Sequence, residues 1–112
     1  YVLGDAASAS RMPKSAYAAN SQAKVAVAAI VAGFQGRDPG DPTFVNTCYS
    51  IVGEDFGISV AAVYGLDAET NTIEPIPDSG GVSPANASPE IRKREVSYAH
   101  SWFANVINDM ME

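Results

Sequence analysis

The spacing of apolar and polar positions changes several times along the chain, and each change marks an expected element. From Ser15 to Ala32 the sequence is rich in alanine and free of glycine and proline, which predicts a helix with Pro13 before it and Gly33 ending it. Ala18, Ala19, Ala26, Ala28 and Ala29 fall on several faces, so this helix can approach neighbours closely all round, the pattern of a helix buried in a larger body. Gly36, Pro39, Gly40 and Pro42 then set a turn-rich connection. Residues 43–52 and 58–66 are β-branched and aromatic and are separated by Gly53-Glu54-Asp55-Phe56-Gly57, which predicts a hairpin with a longer loop. Residues 67–71 lead to a short strand at 72–76 that Pro75 confines to an edge.

After a loop containing Asp78, Gly80, Gly81 and Pro84, Ser88-Pro89-Glu90 opens a second helix with a hydroxyl cap, proline in the first turn and an acid facing the dipole. Ile91, Tyr98, Ala99, Trp102, Phe103, Val106, Ile107 and Met110 recur at three-to-four spacing, with Arg92, Lys93, Arg94, Glu95, Asn105, Asn108 and Asp109 around that one apolar stripe. Such a helix needs a sheet or a partner to cover it. The expected fold class is α+β: a helix, a three-stranded antiparallel meander and an amphipathic C-terminal helix. Tyr1-Val2-Leu3 reads as the end of a β-strand running into a turn, so the chain is expected to be a piece of something longer.

Composition narrows the function classes. Lys and Arg number 7 against 13 Asp and Glu, a formal net charge of −6, which argues against nucleic-acid binding because phosphate neutralisation needs clustered cations. The charge is uneven: residues 1–37 set Arg11, Lys14, Lys24 and Arg37 against Asp5, while 38–90 hold nine acids and no base, either a solvated surface or an acidic docking face. No apolar run reaches the roughly 18 residues of a membrane span, and the first residues lack the charged and apolar regions of a signal peptide. One cysteine and one histidine exclude an intrachain disulfide, a Cys-based zinc site and a CxxC pair, and no metal is expected.

Candidate chemistry is sparse. Leu3-Gly4-Asp5 could place a carboxylate at a strand end, where it accepts hydrogen bonds from sugar or ribityl hydroxyls while the following helix offers its amino end to an electron-rich ring; an ordinary turn aspartate is the alternative. Cys48, in mid-strand, is either a small buried hydrophobe or a reactive group. Trp102 with Phe103, Tyr98 and His100 is either helix packing or an aromatic lining beside a planar cofactor. No Ser-His-Asp set, GxGxxG or Walker loop is present.

Gly4-Asp5-Ala6, Met12-Pro13-Lys14-Ser15, Ala19-Asn20-Ser21-Gln22-Ala23-Lys24, Asn46-Thr47-Cys48-Tyr49-Ser50, Gly57-Ile58-Ser59-Val60-Ala61-Ala62 and Pro77-Asp78-Ser79-Gly80-Gly81-Val82 together carry a specific resemblance. In order, and over nearly the whole chain, they resemble the carboxyl-terminal part of the flavoprotein subunit of flavocytochrome c sulfide dehydrogenase. The resemblance implies a periplasmic, glutathione-reductase-like flavoprotein that oxidises sulfide at FAD and passes electrons to a cytochrome c subunit carrying the haem. It implies that residues 1–37 end the FAD-binding domain and 38–112 form the C-terminal domain. It further implies that Asp5 holds the ribityl chain, that the helix after Met12-Pro13-Lys14-Ser15 points its amino end at the flavin, that Cys48 is half of a redox-active disulfide, and that Trp102 lies on the flavin-to-haem side.

The family's GxGxxG, its covalent flavin attachment cysteine and the second redox cysteine have no counterpart in these residues, so the chain alone is expected to be inactive and to retain no FAD. Two other readings remain at this point: part of a sulfide:quinone reductase, or a non-catalytic module for binding a cytochrome or for self-association.

Overall fold

A computed structural model describes residues 1–111. In chain order it contains a 3₁₀ turn at Gly4–Ala6, helix α1 at Ala16–Phe34, strands β1 at Thr43–Gly53, β2 at Phe56–Asp67, β3 at Thr72–Pro75 and β4 at Gly81–Val82, and helix α2 at Pro89–Met111. The α+β class agrees with the sequence. The sheet is ordered β1-β2-β3 and has four strands where three were expected, because β4 also pairs with β2. Tyr1–Leu3 join no ladder among the described residues, although Leu3 is extended.

α1 starts as its cap dictates: Ser15 is extended and its Oγ accepts the Ala18 N–H at 3.0 Å. Gly33 does not end it. Chain reversal needs a left-handed residue, which Gly36 supplies at φ +63. The Arg37 N–H then reaches the Ala32 carbonyl and the Gly36 N–H the Gly33 carbonyl, closing the last turn. The β1–β2 connection is also tighter than expected, with only Glu54 and Asp55 outside the strands.

β2 pairs antiparallel with β3 from Tyr64↔Pro75 to Asp67↔Thr72. The turn between them is built on Asp67, whose Oδ1 accepts the N–H groups of Glu69 at 2.9 Å and Thr70 at 3.2 Å, with Asn71 at φ +55. The Thr70 and Glu69 N–H groups hold the Asp67 carboxyl below the usual aspartate range. A carboxyl depressed in the folded state stabilises it above its unfolded value of about 4, and that contribution disappears as pH falls through the lowered value. Asp67→Asn should therefore flatten slightly the dependence of the unfolding midpoint on pH below about 4.

Beyond β3, serine hydroxyls join the main chain in bonding to β2. Ser79 Oγ accepts the Val63 N–H at 3.1 Å and donates to the Val63 carbonyl at 3.2 Å. Ser83 Oγ accepts the Ser59 N–H at 2.7 Å and donates to Glu95 Oε1 at 3.1 Å, while the Ser83 N–H donates to the Ser59 carbonyl at 2.9 Å. Gly80 runs flush against β2, so a Cβ there would overlap the Ala61 carbonyl oxygen and Ala62 Cα. Gly80→Ala should cost about 1–3 kcal/mol, read as a lower denaturant midpoint with an unchanged slope.

The chain divides into two compact units. The first comprises Tyr1–Thr47 with Ala61–Gly80. Its core is Met12, Ala18, Phe44 and Tyr64, flanked by Ala9, Val25, Ala62 and Ile73. One side of α1 bonds to β1, the Ser21 hydroxyl accepting the Val45 N–H at 2.9 Å and Ser15 Oγ donating to Asn46 Oδ1 at 2.5 Å. Val27, Val31 and Phe34 on α1 stay exposed.

The second unit comprises Cys48–Val60 and the chain from Gly81 onward. Arg92, which the sequence groups with the polar residues around the stripe, is buried there at 5% exposure. Its guanidinium lies 4.8 Å from the Phe56 ring centroid and donates to the Pro84 carbonyl at 2.6 Å and the Ala85 carbonyl at 3.1 Å. The apolar stripe of α2 is divided: Ile91, Ala99, Trp102 and Val106 are half-buried, whereas Tyr98, Phe103, Ile107 and Met110 are exposed. Val96, absent from the expected stripe, is buried.

Candidate functional site

The head of α1 gathers Asp5, Pro13, Lys14 and Ser15 on one small cleft. Each arrives there for a local reason. Gly4, at φ +67, bends the chain out of the extended Leu3 into the 3₁₀ turn, which the Ala7 N–H closes on the Gly4 carbonyl at 3.0 Å. That turn carries the Asp5 carboxylate outward, exposed and without a hydrogen bond to the described residues. Lys14 Nζ donates to the Asp5 carbonyl at 2.7 Å, so the lysine charge sits against the same turn. Pro13 precedes the helix, and Ser15 caps it while donating to Asn46, which is only 3% exposed.

The electrostatics favour an electron-rich ligand. No acid lies in the first turn of α1, and the helix dipole places partial positive charge at that end, reinforced by Lys14. The donor set therefore combines a carboxylate able to accept from hydroxyls with a positive helix end able to face a ring that gains charge. A ribityl-flavin has both requirements, and these residues fit it.

Cys48 and Trp102 belong to the second unit, both half-buried, on β1 and α2 respectively. His100 is exposed on α2. A larger, mostly apolar cavity of about 360 Å³ lies in the first unit, between Leu3, Val25, Ala29, Phe44 and Ile73, and includes none of the candidate residues. Sequence reasoning missed Gln22 and Asn46, the buried amides behind the α1 cleft. Their only sequence signal was a polar residue inside each quoted block, since their partners lie far off in the chain.

These features define an α+β module with an exposed carboxylate beside a helix amino terminus. Residues 40–111 match the family described as "Flavocytochrome c sulphide dehydrogenase, flavin-binding", and the chain belongs to that family. That family is the flavin-binding part of a sulphide dehydrogenase, an oxidoreductase, and the flavocytochrome complex implies a cytochrome partner. Cys48 and Trp102 lie within the matched segment, and Asp5, Pro13, Lys14 and Ser15 precede it. No helix among the described residues is long and apolar enough to cross a membrane.

Proposed function

We propose that this chain is the carboxyl-terminal part of a periplasmic, glutathione-reductase-like FAD flavoprotein that oxidises sulfide and delivers the electrons to a cytochrome c subunit, the only one to carry haem. The observation that carries this reading is the exposed Asp5 carboxylate fixed at the amino end of α1, in a chain of this family. Residues 1–37 complete the FAD-binding domain and 38–112 form the C-terminal domain.

In this reading Asp5 accepts hydrogen bonds from the ribityl hydroxyls. Pro13, Lys14 and Ser15 set the direction of the α1 amino end, whose dipole offsets negative charge on the pyrimidine side. Held by these residues, FAD would supply a two-electron acceptor for the sulfur chemistry and a one-electron donor towards the haem. Cys48 contributes one sulfur of a disulfide whose other cysteine lies outside this sequence. Hydrosulfide attacks one sulfur, the S–S bond breaks, and one cysteine is left as a persulfide and the other as a thiolate. Trp102 lies on the route towards the haem. The exposed Tyr98, Phe103, Ile107 and Met110 of α2, ringed by the exposed Lys93, Arg94, Asn105, Asn108 and Asp109, suit a helix that a partner subunit covers, which favours the cytochrome over a membrane quinone as acceptor.

The complete flavoprotein is the object of the test. Anaerobic sulfide should bleach its visible flavin band and cytochrome c should restore it; a band indifferent to sulfide would overturn the reading. Asp5→Asn should raise the flavin midpoint potential, because a negative charge on the ribityl chain, close to a ring that gains electrons, is removed. An unchanged potential would remove Asp5 from the flavin site. The 112-residue chain alone should show no flavin band.

A further inference from the structure

We propose that Gln22 is a positioning residue for Asp5: its buried carboxamide pins the Gly4-Asp5 turn to α1 and so sets where the Asp5 carboxylate meets the ribityl chain. This rests on the reading of Asp5 given above.

Gln22 is only 8% exposed, although glutamine normally keeps its amide in water. Burying an amide is costly unless it is bonded, so its partners explain its presence. Gln22 Oε1 accepts the Gly4 N–H at 2.7 Å, short for an N–H···O bond. Gln22 Nε2 donates to Met12 Sδ at 3.4 Å, and Met12 is itself 4% exposed. One side chain therefore holds both ends of the loop that runs from the Asp5 turn to the start of α1.

Helical spacing puts Gln22 in line with Ser15 and Ala18, on the side of α1 that faces this loop. Lys14 grips the Asp5 carbonyl at 2.7 Å, but in an exposed position where water competes. The bond to the Gly4 N–H is better shielded, so Gln22 is the firmer of the two restraints on the main chain around Asp5. Ala19, whose Cβ would lie 3.5 Å from a Cβ at Gly4, keeps the turn close to the helix without clashing.

The test is a double-mutant cycle read in the flavin midpoint potential of the complete flavin-loaded protein, with Asp5→Asn, Gln22→Leu and the double variant. Gln22→Leu should shift the potential in the same direction as Asp5→Asn, and the double variant should move no further than the larger single one. Gln22→Asn, which keeps a polar amide but falls one methylene short of Gly4, should behave like Gln22→Leu and serves if leucine prevents folding. If Asp5→Asn shifts the potential while the Gln22 variants do not, or if the shifts add, the role of Gln22 is overturned and that of Asp5 stands. A silent Asp5→Asn overturns the Asp5 reading itself. Failure of both Gln22 variants to fold assigns the residue to stability and also overturns the proposal.

Discussion

In the complete flavoprotein, Cys48→Ser should leave the flavin bound but abolish its bleaching by sulfide, with sulfide-dependent cytochrome reduction falling by roughly a thousandfold or more. The size follows from the chemistry. A hydroxyl cannot form the sulfur–sulfur bond that hydrosulfide attacks, nor leave as a stabilised thiolate, so no residual route runs through that position. The same substitution should change folding little, because Cys48 is half-buried and serine is nearly isosteric. If Cys48 were only a packing residue, activity would survive; persistent bleaching in the serine variant would establish that.

Arg92→Met should lower the stability of the chain by about 2–3 kcal/mol, a fall in melting temperature of about 10–20 °C for a domain of this size. Methionine fills similar volume but leaves the carbonyls of Pro84 and Ala85 without their charged donor and removes the cation from the Phe56 ring. The estimate stays at the low end because Pro84 and Ala85 are exposed and can recruit water. Arg92→Lys should recover little of the loss, since one ammonium cannot both reach two carbonyls and stack on an aromatic ring. A calorimetric shift of only a degree or two would show that water replaces all three contacts.

Sequence and structure agree wherever a single residue type has a strong local meaning. Ser15 caps α1, Ser88 precedes α2 with Pro89 as its first residue, and Pro75 ends a strand at the rim of the sheet. Disagreement arises where two residues offer the same signal or where a partner is distant. Gly33 and Gly36 read alike as stops, and only the left-handed backbone at Gly36 decides between them. β4 has two residues, too few for any period to be read, and it exists because Ser83 bonds back to Ser59. Arg92 stands in a basic triplet that resembles a solvated face; its burial is visible only through its (i, i+4) relation to the buried Val96.

The candidate site divides in the same way. Its surface members, Asp5 and Lys14, were legible from the motif, and the cleft gathers them with Pro13 and Ser15. The groups behind them were not. Gln22 reaches Gly4 across eighteen positions and Ser15 reaches Asn46 across thirty-one, and no local pattern encodes such pairs.

The serine hydroxyls along the sheet have a further effect. Ser21, Ser83 and Ser79 occupy the N–H groups of Val45, Ser59 and Val63, the donors an invading extended peptide would need for β-augmentation. Those stretches are closed to strand addition and to the edge-to-edge stacking that seeds amyloid. The exposed face of α2 is a surface of another kind, on which shape and burial, rather than main-chain hydrogen bonding, would select a partner.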